Sequence, residues 1–190
     1  MLTEMTAWAS ETTARIGEQI RLHRQGRPAM WLAERTAELG HPISRTAISE
    51  YETGKRKAIP VTDLVAIAAA LEVPPITLIY PHLPDGPVQV LPDVSSSSLD
   101  AAQWFSGQGV NPSGDHVDTT RISKAREYAD LKLKRDVVAV DAALADKDGS
   151  DGLWGTREEA QRTLSLIDAK LDSLLERLRS EPDSWTVRDA

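Results

Sequence analysis

The sequence predicts an all-α chain, and three observations carry that prediction. Between residues 12 and 82, short apolar patterns recur at three- and four-residue spacing and are interrupted by Gly and Pro. Residues 121–181 hold two longer patterns of the same period, separated by KDGSDG. Between these regions, 84–120 carries no Lys or Arg and is rich in Pro, Ser and Gly, which reads as a linker. The expected organisation is a helical domain over 12–83, a linker over 84–120 with a short docking helix, and a C-terminal helical hairpin over 121–181.

Each element has its own local argument. TARIGEQIRLHRQ places Ile16, Ile20 and Leu22 on an apolar stripe with Arg15, Arg21 and Arg24 around it. AMWLAERTAELG follows Pro28, a first-turn proline, and stops at Gly40. SRTAISEYE forms a third helix capped by Ser44 and ended at Gly54. VTDLVAIAAALEV repeats Leu64, Ile67, Ala68 and Leu71, with Thr62 as a candidate cap, and PPITLIY closes the domain with a short fifth helix. Beyond the serine run, LDAAQWF reads as a brief docking helix and GQGVNPSGDHVDTT as loop.

In the C-terminal hairpin the first arm takes its apolar stripe from Ile122, Ala125, Ala129, Leu133, Val137, Val140 and Leu144. The second arm opens with Thr156 three residues before Glu159, a capping-box pattern, and continues through Leu164, Ile167, Leu171, Leu174 and Leu178. Such seams must be covered within the hairpin, by the first domain, or by a second copy of the chain. All three arrangements remain open at this point.

The formal charge of −7 argues against a polyanion partner, but it is unevenly spread. Residues 13–60 carry nine Lys/Arg against five Asp/Glu, whereas 61–120 carry seven acids and no Lys or Arg. Attraction to a polyanion depends on the face presented, so the local excess of positive charge decides. With no Cys, disulfide and thiolate chemistry are excluded. No apolar run approaches the roughly 20 residues of a membrane span, and the acidic start is unlike a secretion signal. A soluble, cytoplasmic, DNA-associated protein with no membrane partner is the expectation.

The stretch SRTAISEYETGKRK, 44–57, carries the functional signal. With Ala47, Ile48 and Tyr51 turned inward, Arg45, Thr46, Ser49 and Glu50 are left outside. These are slim polar side chains that suit a helix lying in the major groove. Arg pairs bidentately with guanine, Glu accepts from cytosine N4, and Thr offers a hydroxyl and a methyl. Gly54 ends the helix so that Lys55, Arg56 and Lys57 emerge beside it, where a duplex has its phosphates.

Residues 16–80 resemble the Cro/repressor-type, or Xre-like, helix-turn-helix family. The resemblance runs through LAERTAELGHPISRTAISEYETGKR, PVTDLVAIAAALEV and PPITLIY. Leu32 and Ala33 match the helix-two "LA", Ile48 the buried aliphatic, and Glu52 and Gly54 the E-x-G before the basic loop. The resemblance implies a five-helix domain whose third helix enters the major groove of double-stranded operator DNA. It further implies that Arg45, Thr46, Ser49 and Glu50 read bases, and that Ser44, Thr53, Lys55, Arg56 and Lys57 contact phosphates. Two departures stand out. The inter-helix turn TAELGHPIS is longer than the common one by about three residues. Ala29 and Met30 stand where relatives often place Gln, leaving Arg27, Arg35 or His41 to supply that contact. The helical C-terminus is more similar to immunity repressors of actinobacterial temperate phages, which maintain lysogeny, than to repressors with a self-cleaving peptidase domain.

The C-terminal half then has two candidate roles: homodimerisation, or DNA contact by a monomer through a second domain. For the latter, Arg121, Lys124, Arg126, Lys132, Lys134 and Arg135 form a basic arm. A protein-interaction or antitoxin-like module on the same fold is the alternative function. Enzyme and metal readings have little to stand on. His23, His41, His82 and His116 show no ligand spacing, no glycine loop is built for phosphate, and Glu158–Glu159 sit at a helix start. No cofactor and no catalytic residue are expected.

Overall fold

A computed structural model describes residues 2–114, 117–148 and 151–180. The chain divides into two compact units, residues 1–117 and 118–190. His116 and residue 181 lie outside the described residues.

Five helices build the core of the first unit: α1 (Leu2–His23), α2 (Ala29–Glu38), α3 (Arg45–Glu52), α4 (Val61–Leu71) and α5 (Pro75–Ile79). Ile20, Leu32, Ile48, Tyr51, Ile67 and Leu78 are fully buried at its centre. Ile16 is buried beside them. Leu22 is half exposed, contrary to the stripe read from the sequence. Two residues beyond Ile20, it points to the opposite side of a helix with a 100° step. Thr62 lies inside α4 rather than capping it; Pro60 takes the cap position, with its fixed φ suited to helix entry.

The chain is not purely α-helical, which corrects the all-α expectation. Residues 87–97, read as linker, form an antiparallel hairpin of β1 (Pro87–Leu91) and β2 (Val94–Ser97). Val88 and Val90 alternate inward and are buried against Tyr80 and Ala101. That period-two pair is the strand signal that the Pro- and Ser-rich composition masks. Helix α6 (Ser98–Phe105) follows, capped by Ser97 through the Asp100 amide. Phe105 meets the Tyr80 ring edge-on at 5.8 Å between centroids.

The second unit is a helical hairpin of α7 (Thr120–Asp148) and α8 (Arg157–Ser180). The capping box forms as read. The Thr156 amide donates to Glu159 Oε2 at 2.8 Å, and the Glu159 amide donates to Thr156 Oγ1 at 3.3 Å. The Thr156 amide and then its hydroxyl, both donating to this carboxylate, hold Glu159 below its usual range. On α8, Ile167, Leu171 and Leu174 are buried, as the spacing requires.

On α7, however, the packing face is not the one read from the sequence. Val138 is buried, with Tyr128, Leu131 and Ala142 packed beside it. Ile122, Ala125, Ala129, Leu133, Val137, Val140 and Leu144 are all exposed. The helix carries two apolar stripes on opposite sides, and the one against α8 is reinforced by ion pairs. Arg135 meets Asp168 at 2.5 Å and Lys170 meets Glu127 at 2.6 Å.

Candidate nucleic-acid interface

Helix α3 is short and is held from beneath. The Ser44 hydroxyl accepts from the Ala47 amide at 3.1 Å, the N-cap bond that the sequence proposed. Ala47, Ile48 and Tyr51 are buried; Ile48 alone, truncated to Ala, would cost about 2–5 kcal/mol. Against α1 the approach is so close that a methyl on Gly17 would run into the Tyr51 carbonyl. Just past the C-terminal end of α1, Arg24 forks onto Glu52 with bonds of 2.8 and 2.9 Å. Both side chains are largely covered, at 14% and 8% exposure, so this pair locks the C-terminal turn of α3 to α1.

The longer inter-helix turn is stitched at two points. Buried Thr36 donates its hydroxyl to the Ala33 carbonyl at 3.0 Å and accepts from the Ile43 amide at 3.2 Å. His41 Nε2 lies 2.8 Å from Asp63 Oδ1, which ties the turn to α4.

Outward, Arg45 and Thr46 are exposed, while Ser49 and Glu50 are half-buried. Gly54 adopts a left-handed φ of 66°, and the following backbone wraps back so that the Lys55 amide donates to the Glu50 carbonyl at 2.9 Å. Lys55, Arg56 and Lys57 are exposed beside the helix. The Lys57 carbonyl accepts from Thr13 Oγ1 at 3.1 Å, which pins this basic turn to α1. Thr53 is exposed and donates its hydroxyl to the Ser49 carbonyl at 2.7 Å. Ser44 is exposed also, so its hydroxyl can donate outward while it caps the helix.

The structure adds a hydrogen-bond chain that the sequence did not reveal. Asp63 takes His41 on one oxygen and, on the other, the Tyr51 hydroxyl at 2.6 Å. That hydroxyl accepts from Arg56 Nη1 at 3.3 Å, and Arg56 Nε donates to Glu50 Oε2 at 2.8 Å. Burial alone would raise the Asp63 carboxyl, but the bonds from His41 and Tyr51 and the nearby charges outweigh it and hold it below its ordinary value. Burial and then the Asp63 bond push the Tyr51 phenol up. The residues considered as substitutes for the helix-two Gln are also engaged. Arg27 lies 3.7 Å over the Trp31 ring, Arg35 meets Glu38 at 2.5 Å, and His41 meets Asp63.

The basic arm of α7 divides by direction. Arg121, Lys124, Lys132 and Arg135 fall within an arc of about 80° at 100° per residue, whereas Arg126 and Lys134 point elsewhere. Lys134 Nζ lies 5.1 Å over Trp154, and Arg135 is paired with Asp168.

The family model of helix-turn-helix domains, HTH_3, matches residues 20–78. That span runs from the end of α1 to α5 and includes α3 and its basic turn. Residues 20–78 are a helix-turn-helix domain. The match supports a DNA-binding transcriptional regulator in general terms. No significant match to a curated protein or to a solved structure was found. Among the described residues, no group of three or more His, Asp or Glu side chains is placed to hold a metal ion, and no helix is long and apolar enough to cross a membrane. Within the helix-turn-helix domain, α3 is the second helix of the motif and presents its N-terminal Arg45 and Thr46 to solvent.

Proposed function

We propose that this chain is a sequence-specific double-stranded-DNA-binding transcriptional repressor of the phage-immunity type, acting without cofactor by occupying promoter DNA. The observation that carries the reading is the division of α3. Ala47, Ile48 and Tyr51 anchor it, Arg45 and Thr46 stand free at its start, and three exposed cations follow Gly54. In this arrangement Arg45, Thr46, Ser49 and Glu50 read base edges, and Ser44, Thr53, Lys55 and Lys57 set register on phosphates. The two-unit build, with a helical hairpin after the DNA-reading domain, supports the immunity-repressor form. The test is selection of the full chain on a randomised DNA duplex pool. Enrichment of one motif is expected, with affinity falling steeply as salt rises; a pool left unchanged would contradict the reading.

The hairpin unit extends the interaction in one of two ways, each with its own support. The exposed row on α7 suits a second copy lying antiparallel across Leu133 as centre. Ala129 then opposes Val137, Ile122 opposes Leu144, and Asp130 and Lys132 fall near Lys134 and Asp136 of the other copy. The cations of α7, of which Arg121 and Lys132 are exposed, suit a monomer that touches DNA a second time. Molar mass by light scattering separates the two. A protein-docking or antitoxin-like role is the competing function. It is favoured by the exposed apolar groove of Leu39, Val61 and Val65 on the first unit.

A further inference from the structure

A carboxylate on a DNA-reading helix faces a difficulty: it must enter a groove flanked by phosphates of its own sign. Glu50 is such a group, and the structure supplies a partner for it. Arg56 Nε donates to Glu50 Oε2 at 2.8 Å, while Glu50 Oε1 takes no hydrogen bond among the described residues. An exposed ion pair of this kind is ordinarily loose and worth little. Here the cation is fixed from behind. Its Nη1 donates to the Tyr51 hydroxyl at 3.3 Å, and its guanidinium lies 5.1 Å from the Tyr51 ring centroid. Tyr51 is fully buried, and its hydroxyl proton is committed to Asp63 at 2.6 Å, so the oxygen can only accept from Arg56. Asp63 is fixed in turn by His41 of the inter-helix turn. Asp63 accepts from both His41 and Tyr51, and Arg56 donates both to the Tyr51 oxygen and to Glu50, so every group in the run is held by the next.

We propose that Asp63 and Tyr51 are positioning residues for base reading. They hold Arg56 against Glu50, so that the pair meets DNA as one neutral unit and the free Glu50 oxygen accepts from a cytosine amino group. On this reading, which rests on the DNA-reading role of α3 proposed above, Arg56 is not a phosphate contact. Its charge is spent on Glu50, unlike those of Lys55 and Lys57. The chain also gives the lengthened turn a purpose, since His41 reaches Asp63 from within it.

The experiment uses the full chain and the duplex selected from the randomised pool, with single-base variants of that duplex. Tyr51→Phe removes one oxygen and keeps the buried ring. It should lower discrimination at the one C·G pair read by Glu50 by several-fold, leave discrimination at the Arg45 position unchanged, and add nothing further in a Glu50→Ala background. Glu50→Ala itself should cost about tenfold at that pair. Arg56→Gln, at an exposed position that does not threaten folding, should show the same selective loss. It should keep the wild-type salt dependence, whereas Lys55→Gln should lower the slope of log affinity against log salt by about one. Losses spread evenly over all base positions, additivity with Glu50→Ala, or a reduced salt slope for Arg56→Gln would overturn the proposal while leaving the DNA-reading role intact. A wild-type chain that discriminates no sequence removes both.

Discussion

At the scale of single residues, Asp63 is the group on which the interface leans most. It bridges the turn, through His41, to the buried tyrosine of α3, and its carboxyl is held below the ordinary carboxylate value. The unfolded chain therefore binds the Asp63 proton at a higher pH than the folded one does. The stability this contributes is complete above the ordinary carboxylate range near pH 4 and is lost as pH falls through the lower folded value. Melting temperatures measured from pH 6 downward should fall more steeply below about pH 4 for the wild type than for Asp63→Asn. Parallel curves would show that Asp63 gains nothing from its partners. None of this network was legible in the sequence. His41 and Tyr51 lie 22 and 12 residues from Asp63, and no local pattern announces a bond over such separations. The outward placement of Arg45 and Thr46 was legible, because their exposure follows from the helical period once Ala47, Ile48 and Tyr51 face inward.

At the scale of elements, α3 owes its seat to α1. The close approach at Gly17 leaves no room for a side chain, and the Arg24–Glu52 fork sits just beyond it. Gly17→Ala gains about 1 kcal/mol of helix propensity but forces a methyl against a backbone carbonyl, where overpacking costs about 1–3 kcal/mol or more. Chemical denaturation should show a net loss of about 1–2 kcal/mol; a stabilised variant would mean that the two helices separate more readily than their geometry implies. Helices with local punctuation were read well: Ser44 and Gly54 bound α3, and Thr156 with Glu159 starts α8. Two elements were not. The β1–β2 hairpin hides behind prolines and serines, with only Val88 and Val90 to betray an inward face. In α7 both apolar stripes have the helical period, so the sequence could not say which one meets α8. The ion pairs at Arg135 and Lys170 lie beside the stripe that does.

At the scale of the whole molecule, a helix-turn-helix domain of modest positive charge is joined to a hairpin unit that keeps a long apolar row exposed and carries several cations on α7. On the proposed function, either feature would enlarge the contact with DNA, by doubling the reading domain or by adding a second basic surface. The full chain should therefore protect a longer stretch of the selected duplex than residues 1–117 do, and bind it at least about tenfold more tightly, a difference of roughly 1.4 kcal/mol. Equal footprints and equal affinities would confine DNA contact to the first unit. The central claim, that α3 reads sequence from its outward face, is tested most directly by the affinity of Arg45→Ala for the selected duplex and for random duplex. A loss of about tenfold or more on the selected duplex, with binding to random DNA little changed, is the result expected from a bidentate base contact. Equal losses on both, or none on either, would contradict it.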